Sequence, residues 1–414
     1  MKIKRFLQAC LVAALGLGLP LAINSSVAFA SGNNCLWNGS SSANFSTAAN
    51  WTNCGGTTPG DGDNLIFDNT SIPGSGAVLN DDLTTSPSPT FATITFQGSG
   101  GTGYTLDITS GGTLLLTGGI TDTTSQYIGG AIIDAPIQLV ASNVAFSVAN
   151  HLTLTPGGSD TFSTNFQTAT FSGGGTISSA LQFSGGGVLN FNMGSGTFNL
   201  VAASPSYTGP VNVNSGQLSL SSSSSPYPDM LSGASLVTVA SGATLSFDDS
   251  SASAGTIAEP FNIAGDGSSS CTVNSVACGA LFNDVDTGSG NSNLTFAGAI
   301  TLANNTEVAS ASSTDNIVLS SSSSLSGNFT IESMLGGLII DSSSNTSKSV
   351  NGTYVAGSTT PVGSGAVGAT AGAPKTPDTG LALLTTHPLE TLAISTVAAF
   401  TILVVAHRLK TVKY

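Results

Sequence analysis

The sequence predicts an all-β fold in which most of the chain winds into a solenoid, and three observations lead to this prediction. Residues 64–354 consist of short runs in which apolar residues alternate with Ser, Thr or Asn, a pattern that is typical of strands. No stretch of this region follows the helical period of about 3.6 residues. A Ser-Gly-x-Leu unit occurs at Ser215–Leu218 and is echoed at Ser241–Leu245 and Ser110–Leu114.

A solenoid also explains the composition. Each coil buries its apolar side only by stacking on its neighbours, so a repeat every 20 to 30 residues or so is expected. Only 7% of the residues are charged, which suits a stack because like charges about 4.8 Å apart would repel each other.

The alternative is a row of β-sandwich domains. The Lys–Asn isopeptide bonds common in such surface domains would depend on Lys348, the single lysine of residues 31–374.

Short motifs in the body form two groups. The opening segment contains Trp37-Asn38-Gly39, Asn50-Trp51 and Pro59-Gly60-Asp61-Gly62-Asp63, and a later group contains Tyr207-Thr208-Gly209, Val211-Asn212-Val213 and Ser215-Gly216-Gln217-Leu218. These motifs resemble those of proteins that carry autotransporter-associated β-strand repeats, and the resemblance covers most of residues 35–330. It implies a right-handed parallel β-helix of the kind found in large surface proteins.

The N-terminus indicates export. Residues 1–30 combine a basic start, an apolar stretch and the small-residue site Ala28-Phe29-Ala30. These are the three parts of a secretory signal peptide, with cleavage expected between Ala30 and Ser31. A retained N-terminal membrane anchor is the alternative.

The C-terminus indicates a membrane anchor. Residues 389–406 are apolar apart from Glu390 and some Ser and Thr, and three basic residues follow, Arg408, Lys410 and Lys413. A helix of this length spans about 27 Å, close to one hydrocarbon core. The basic tail is expected to stay in the cytoplasm, which places the body outside the cell. A buried core helix is the alternative.

A sorting-like motif precedes this apolar stretch. It consists of Thr376, Pro377, Asp378, Thr379 and Gly380. The order Pro-x-Thr-Gly, apolar stretch and basic tail resembles the sorting signal of sortase-anchored surface proteins, although Thr376 stands where leucine is expected. The resemblance implies that a sortase cuts between Thr379 and Gly380 and joins the Thr379 carbonyl to an envelope amine. A plain single-pass anchor is the alternative, and both place the protein at the cell surface.

These signals divide the chain into four parts. We expect a signal peptide at 1–30, a β-solenoid ectodomain at 31–354, a flexible stalk rich in Gly, Ala, Thr and Pro at 355–380, and a transmembrane anchor with its basic tail at 381–414.

Four cysteines remain after the signal peptide leaves with Cys10. An even number in an exported chain favours disulfides, and four cysteines allow three connectivities. Proximity in the sequence favours Cys35–Cys54 and Cys271–Cys278. A zinc site is disfavoured because the body has no CxxC pair and a single histidine, His151.

The charge balance excludes several functions. The chain has 8 Lys+Arg against 22 Asp+Glu, and the basic residues lie almost entirely at its ends. Nucleic-acid binding needs cations to neutralise phosphates, so we exclude it for the body. Enzymes that hold phosphates with Arg or Lys are disfavoured for the same reason.

Candidate catalytic residues are few. A Ser-His-Asp triad would need His151, and no nucleophile motif accompanies it. Paired carboxylates could process glycans, and the closest pairs in the sequence are Asp61/Asp63, Asp81/Asp82, Asp248/Asp249 and Asp284/Asp286. We expect these to be turn acids.

No cofactor is expected. Asp61-Gly62-Asp63-Asn64 and Asp284-Val285-Asp286-Thr287-Gly288 are weakly similar to calcium loops, but the second has Ser289 and Thr295 where an EF-hand loop needs Gly and Glu. Structural calcium at either site is the alternative to ordinary turn chemistry.

The sequence therefore predicts an adhesive or structural protein of the cell surface without catalytic activity. Its expected partners are a sortase or an envelope amine, the membrane, and an unidentified surface ligand such as a glycan or another cell. The main alternative is a surface enzyme that processes glycans with paired carboxylates. A third candidate is an inert component of the envelope coat.

Overall fold

The computed structural model describes residues 32–340, except for 40, 69–77, 84–88, 99–104, 108–111, 125–130, 156–160, 205, 223–230, 250–255, 274–275, 285–292, 313–314, 321–322, 328–330 and 336. The signal peptide, the stalk, the sorting-like motif and the proposed membrane span lie outside the described residues. Within the described part, no helix has the length and apolar character that a membrane crossing requires.

The described residues confirm the all-β prediction. Their one helical element is a short 3-10 turn at Ala48–Asn50. The strands in chain order are β1 (Asn34–Trp37), β2 (Trp51–Thr52), β3 (Asn64–Asp68), β4 (Val78–Asn80), β5 (Thr90–Gln97), β6 (Thr105–Asp107), β7 (Leu114–Asp122), β8 (Ala131–Asp134), β9 (Ile137–Leu139), β10 (Val144–Val148), β11 (His151–Thr155), β12 (Thr161–Ser163), β13 (Ala169–Ser172), β14 (Thr176–Ser179), β15 (Gln182–Ser184), β16 (Leu189–Leu200), β17 (Val211–Ser222), β18 (Val237–Val239), β19 (Ala243–Asp249), β20 (Thr256–Ile257), β21 (Phe261–Gly265), β22 (Thr272–Val273), β23 (Val276–Ala277), β24 (Leu281–Asn283), β25 (Asn293–Phe296), β26 (Ile300–Ser310), β27 (Asn316–Leu319), β28 (Leu325–Ser326), β29 (Ile331–Leu335) and β30 (Gly337–Ile340).

The strands stack as a parallel β-solenoid. Among the strands named above, pairing is parallel except between β1 and β2 and between β22 and β23. Most strands pair with one that comes two or more elements later, as β10 does with β13 and β11 with β14, whereas the long strands β16 and β17 pair with each other directly. Such pairing requires the chain to travel around a full coil before it returns to the same face. The predicted solenoid is therefore confirmed, and the alternative of tandem sandwiches is wrong for the described part.

One face of the solenoid, which we call the first face, shows the repeat most clearly. Its strands align one inward-pointing residue per coil, in an unbroken column of paired positions from Cys35 to Leu302. Up to Ile263, neighbours in this column are between 20 positions apart, as Phe171 and Phe191 are, and 30 positions apart, as Cys35 and Leu65 are. The column consists of Cys35, Leu65, Ile94, Ile120, Phe146, Phe171, Phe191, Val213, Val239, Ile263 and Leu302.

The core is a stack of apolar side chains along the axis. In its middle, Phe146 stacks on Phe171 with ring centroids 4.8 Å apart, and Phe171 stacks on Phe191 at 5.3 Å. Phe198 meets Phe171 edge to face at 4.8 Å. Offset and edge-to-face contacts are the favoured arrangements of aromatic rings. The alternation in the sequence therefore places the same type of side chain at the same depth in successive coils.

The N-terminal end of the stack is covered by an aromatic cluster. Trp37 meets Trp51 edge to face with centroids 4.9 Å apart, and Phe45 meets Trp51 at 5.1 Å. The Trp51 Nε1–H donates to the carbonyl oxygen of Phe45 at 2.9 Å. The antiparallel pair β1–β2 occupies the same end. The opening motifs therefore build a cap that keeps water away from the first coil.

Both disulfides that sequence proximity favoured are present. Cys35–Cys54 lies under the N-terminal cap, and Cys271–Cys278 closes the hairpin β22–β23. This hairpin is inserted between β21 and β24, which makes the coil between Ile263 and Leu302 longer than the others.

Glycines allow the closest contacts between coils. Gly173 has a φ of 124°, and a Cβ at this position would overlap the carbonyl oxygen of Val148 in the preceding coil. Gly119 has a φ of 115°, and a Cβ at this position would overlap the carbonyl oxygen of Ala145 in the following coil. At both positions a side chain is excluded by the backbone conformation and by the neighbouring coil.

Candidate functional site

The outward side of the first face carries an unbroken column of paired residues. Strand side chains alternate, so the residue before each inward position points outward. We call this set the amide column, because amides and hydroxyls dominate it. Its twelve members are Asn34, Asn64, Thr93, Gly119, Ala145, Thr170, Asn190, Asn212, Thr238, Asn262, Thr301 and Ser326.

A second outward column lies beside the first. It is found two positions further along each strand, except in β17, where a register shift pairs Ser215, three positions after Asn212, with Asn192. Thr and Ser form most of it, so we call it the hydroxyl column. Its members are Leu36, Ile66, Thr95, Thr121, Ser147, Ser172, Asn192 and Ser215. Neither column contains an ionisable side chain. At about 4.8 Å per coil the amide column is about 50 Å long, and we call the two columns together the uncharged face.

Neighbouring coils of the uncharged face are joined by side-chain hydrogen bonds. Asn212 Nδ2 donates to Asn190 Oδ1 at 2.9 Å. At the N-terminal end, Asn64 Nδ2 donates to Asn34 Oδ1 at 2.9 Å, and Thr93 Oγ1 donates to Asn64 Oδ1 at 2.7 Å. These bonds hold the side chains in one orientation, so a ligand of this face would not have to order them when it binds.

Phe166 is the most exposed large apolar side chain of the described residues, at 80%. It follows Asn165 in a turn between β12 and β13, and both residues have positive φ values, 48° for Asn165 and 62° for Phe166. A bulky side chain in the left-handed region is an outlier. The motifs of the sequence did not single out this residue. The signal was an apolar residue beside Asn165 in a turn, where Gly is the usual choice.

The candidate catalytic carboxylates are used inside turns. Asp61 Oδ1 accepts from the Thr90 N–H at 2.8 Å. Asp63 is buried and accepts from the N–H groups of Asn33 at 2.6 Å and Gly60 at 2.8 Å. Backbone donors therefore engage both oxygens of Asp63 and one oxygen of Asp61 at this first site.

Asp81 and Asp82 lie near the N-terminal cap. Asp82 accepts from the Ser46 N–H at 2.7 Å and from the Ser46 hydroxyl at 2.5 Å, which ties the loop after β1 to the loop after β4. Asp81 is buried and accepts from the Leu83 N–H at 3.1 Å. Burial raises the pKa of Asp81 to about 6, although the Leu83 hydrogen bond opposes the shift. Asp82 is therefore a structural hydrogen-bond acceptor, whereas Asp81 is a carboxyl group whose ionisation is disfavoured by burial.

The remaining pairs are only partly described. Asp248 is half-buried and accepts from the Ser221 hydroxyl at 3.4 Å. Asp284 follows β24, whereas Asp286 and the rest of the second candidate calcium loop up to Gly288 lie outside the described residues. His151 Nε2 lies 3.0 Å from Thr153 Oγ1 on the same strand, β11.

Cys35, Cys54 and Asp63 are the one group of three buried potential metal ligands within the described residues. Their ligand atoms lie within 4.8 Å of one another. Cys35 and Cys54 are joined in a disulfide, however, so neither offers a thiolate. The group is therefore a disulfide packed against a hydrogen-bonded carboxylate.

Comparison of the chain with protein-family models, with curated proteins and with solved structures finds no match. The resemblance to proteins with autotransporter-associated repeats and to sortase-anchored proteins therefore stays a prediction from the motifs.

Proposed function

We propose that this protein is displayed on the cell surface as an adhesive or structural β-solenoid without catalytic activity, and that the uncharged face makes its contacts. The observation that carries the proposal is the length and regularity of this face. Paired residues extend over about 50 Å without an ionisable group. Such a surface fits a ligand that also repeats and also lacks charge.

The anchoring part of the proposal depends on the sequence. The signal peptide at 1–30 would export the chain, and the apolar stretch at 389–406 with its basic tail would hold it at the membrane. The motif at 376–380 would make the chain a sortase substrate, with an envelope amine as the acceptor. The resemblance to autotransporter-associated repeats supports a right-handed coil, because those repeats form right-handed β-helices.

A glycan-processing enzyme is the second candidate, and the raised pKa of Asp81 favours it. A carboxyl group with a pKa near 6 can act as a general acid at neutral pH. Asp82 is its neighbour, but both oxygens of Asp82 accept hydrogen bonds from Ser46. We prefer the binding role, because the contacts of Asp82 hold the loops of the cap together, which is a structural task and not a catalytic one.

Mass spectrometry of the mature protein from envelope fractions tests the display proposal. A chain that begins at Ser31 and ends at Thr379 with an attached envelope amine would support export and sorting. An intact C-terminus at Tyr414 in the membrane fraction would reject sorting and retain the plain anchor. Protein recovered only from the cytoplasm, with Met1 still present, would overturn display altogether.

A direct assay for activity separates the two candidate functions. The full-length protein would be incubated with soluble glycans, and the release of reducing ends would be measured for the native chain and for Asp81→Asn. Release by the native chain that Asp81→Asn abolishes would establish the enzyme. We expect no release from either protein.

A further inference from the structure

We propose that one corner of the solenoid, bordering the uncharged face, binds an extended strand of a neutral polysaccharide. This corner, which we call the apolar ridge, consists of Val188, Pro210, Leu236, Pro260 and Ala299. Phe166 lies beside its first coil. The inference rests on the proposed function, because it names the class of ligand that the displayed face would take.

Successive ridge residues lie in neighbouring coils. The N–H of the residue after each ridge position donates to the carbonyl of the next ridge residue: Leu189 to Pro210 at 3.0 Å, Val211 to Leu236 at 2.9 Å, Val237 to Pro260 at 2.9 Å, and Phe261 to Ala299 at 2.7 Å. With five residues about 4.8 Å apart, the ridge is about 19 Å long and parallel to the solenoid axis.

The ridge presents apolar surface to the solvent. Leu236 is 37% exposed, Ala299 is exposed, and the two prolines and Val188 are half-buried. Proline rings are rigid, so ordering them on binding costs little conformational entropy. A row of rigid apolar groups suits the C–H faces of sugar rings, which are the apolar part of an otherwise polar polymer.

Phe166 supplies an aromatic platform at one end of the ridge. Its ring lies against the backbone of Gly186 in the next coil, because a Cβ at Gly186 would be 3.0 Å from the Phe166 Cε1 atom. The strained φ of 62° opposes folding, and at 80% exposure the ring gains almost no burial that would offset this strain. Since the ring adds nothing to the core, a ligand that stacks on it is the simplest reason for its position.

Polar groups lie directly beside the ridge. Each ridge residue precedes a member of the amide column by two positions, as Pro210 precedes Asn212 and Pro260 precedes Asn262. Residues two apart on a strand point to the same side, about 7 Å from each other. A sugar strand on the ridge would therefore have amides and hydroxyls along its edge, where its own hydroxyl groups project.

The charge distribution selects a neutral polymer. Neither the ridge nor the amide column contains a cation that could pair with a uronate or sulfate group. The chain as a whole has a net charge of −14, which would repel an anionic glycan. Glu259, the carboxyl group next to the ridge in sequence, is buried, and burial raises its pKa.

A sedimentation assay with insoluble polysaccharides tests the inference. Full-length protein would be mixed with cellulose, chitin or mannan as neutral probes and with calcium alginate as the anionic probe, at about 0.05 and 0.5 M NaCl. We expect binding to at least one neutral polymer, with a dissociation constant that changes less than about twofold between the two salt concentrations.

Two ridge variants and one control complete the test. Phe166→Ala and Leu236→Asp should each weaken binding about tenfold, since each removes or interrupts apolar contact with the ligand. Val201→Asp is the matched control, because Val201 is 43% exposed and lies off the ridge. It should bind like the native protein, and circular dichroism would show that all three variants retain the fold.

Four outcomes would overturn the inference. The first is that none of the neutral polymers retains the native protein, and the second is that the ridge variants bind as well as Val201→Asp. The third is a preference for alginate that disappears at high salt. The fourth is self-association of the native protein that Leu236→Asp abolishes, which would assign the ridge to a second copy. None of these affects the proposed display, which the termini of the mature chain test separately.

Discussion

Phe171 lies directly against Phe191 of the next coil, with ring centroids 5.3 Å apart and planes inclined by 13°. The two positions are paired in the parallel ladder between β13 and β16. Both side chains are fully buried. Their contact shows how this protein is stabilised, since each coil places an aromatic or aliphatic group on the one before it and no coil could hide that group alone.

Truncation of this stack should be costly. Phe171→Ala removes a ring that also contacts Phe146 and Phe198, at 4.8 Å each. Because neighbouring coils cannot close the cavity without breaking their ladders, we expect a loss of about 3 to 5 kcal/mol in the free energy of unfolding, measured with denaturant. The matched control, Phe166→Ala, deletes the same ring from an exposed site and should change stability by less than about 1 kcal/mol. Equal losses for the two variants would contradict this account of the core.

A series of three glycine variants should separate backbone strain from steric overlap. Gly173→Ala combines a φ of 124° with a clash against Val148, whereas Gly242 has a φ of 83° and no atom within 4 Å of an added Cβ. Gly60 has neither feature. We expect Gly173→Ala to lower the unfolding free energy by about 3 kcal/mol or more, Gly242→Ala by about 1 kcal/mol, and Gly60→Ala by almost nothing.

The order of the three losses is the informative result. If Gly242→Ala lowered the unfolding free energy as much as Gly173→Ala, the steric overlap between coils would add nothing to the cost of the backbone conformation. Thermal unfolding monitored by circular dichroism would rank the variants.

The fold class could be predicted because the physics of a coil is local. The pattern at Val211-Asn212-Val213 recurs as Val237-Thr238-Val239 and as Phe261-Asn262-Ile263, and these segments are indeed paired in neighbouring coils. Alternation specifies which side chains face inward, and glycine marks the corners. Long-range pairing then follows from stacking, with no need to guess a complicated topology.

The site was harder to predict, because it depends on which coils stand next to one another. Pro210, Leu236 and Pro260 share no motif, and the irregular coil lengths conceal that they align.

The position of Asp122 in the fold was also hard to predict from the sequence. No motif in the sequence marks this residue, yet it occupies an inward position between Phe96 and Val148. One of its oxygens accepts from Thr124, and the other has no hydrogen-bond partner among the described residues.

The two disulfides should differ modestly in their contribution. Cys35–Cys54 spans 19 positions and Cys271–Cys278 spans 7. On the chain-entropy model the first closes the larger loop and stabilises by about 3 kcal/mol, against about 2.5 kcal/mol for the second. Both double cysteine-to-serine variants would also bury hydroxyl groups, because all four cysteines are buried, so we expect the variant Cys35→Ser/Cys54→Ser to lose more stability because it opens the larger loop.

Measurement of unfolding in urea for both double variants would check this ranking. The double variant Cys271→Ser/Cys278→Ser serves as the matched control, since its cysteines are also buried, Cys271 at 7% and Cys278 at 0% exposure, but belong to an inserted hairpin. A greater loss from the hairpin than from the cap would show that the insertion, and not the N-terminal end, limits stability.

The stability of the cap should depend on pH through Asp81. Burial raises the pKa of this carboxyl group in the folded protein from its ordinary value of 3.8 to about 6. Between these two pH values the folded chain binds the proton and the unfolded chain has lost it, so the contribution of Asp81 to stability falls as the pH rises from 3.8 to 6. Above pH 6 or so the penalty is complete, and a shift of about two pKa units corresponds to about 2 to 3 kcal/mol.

The variant Asp81→Asn should therefore stabilise the protein at neutral pH. Asparagine keeps the oxygen that accepts from the Leu83 N–H but carries no charge. We expect the unfolding free energy to increase by about 2 kcal/mol near pH 7.5 and to change little near pH 3.5, where the carboxyl group is mostly protonated in both states. The control Asp82→Asn should act in the opposite direction near pH 7.5, because it weakens the charge-assisted hydrogen bonds to Ser46. A pH-independent effect of Asp81→Asn would mean that burial does not penalise the charge of Asp81.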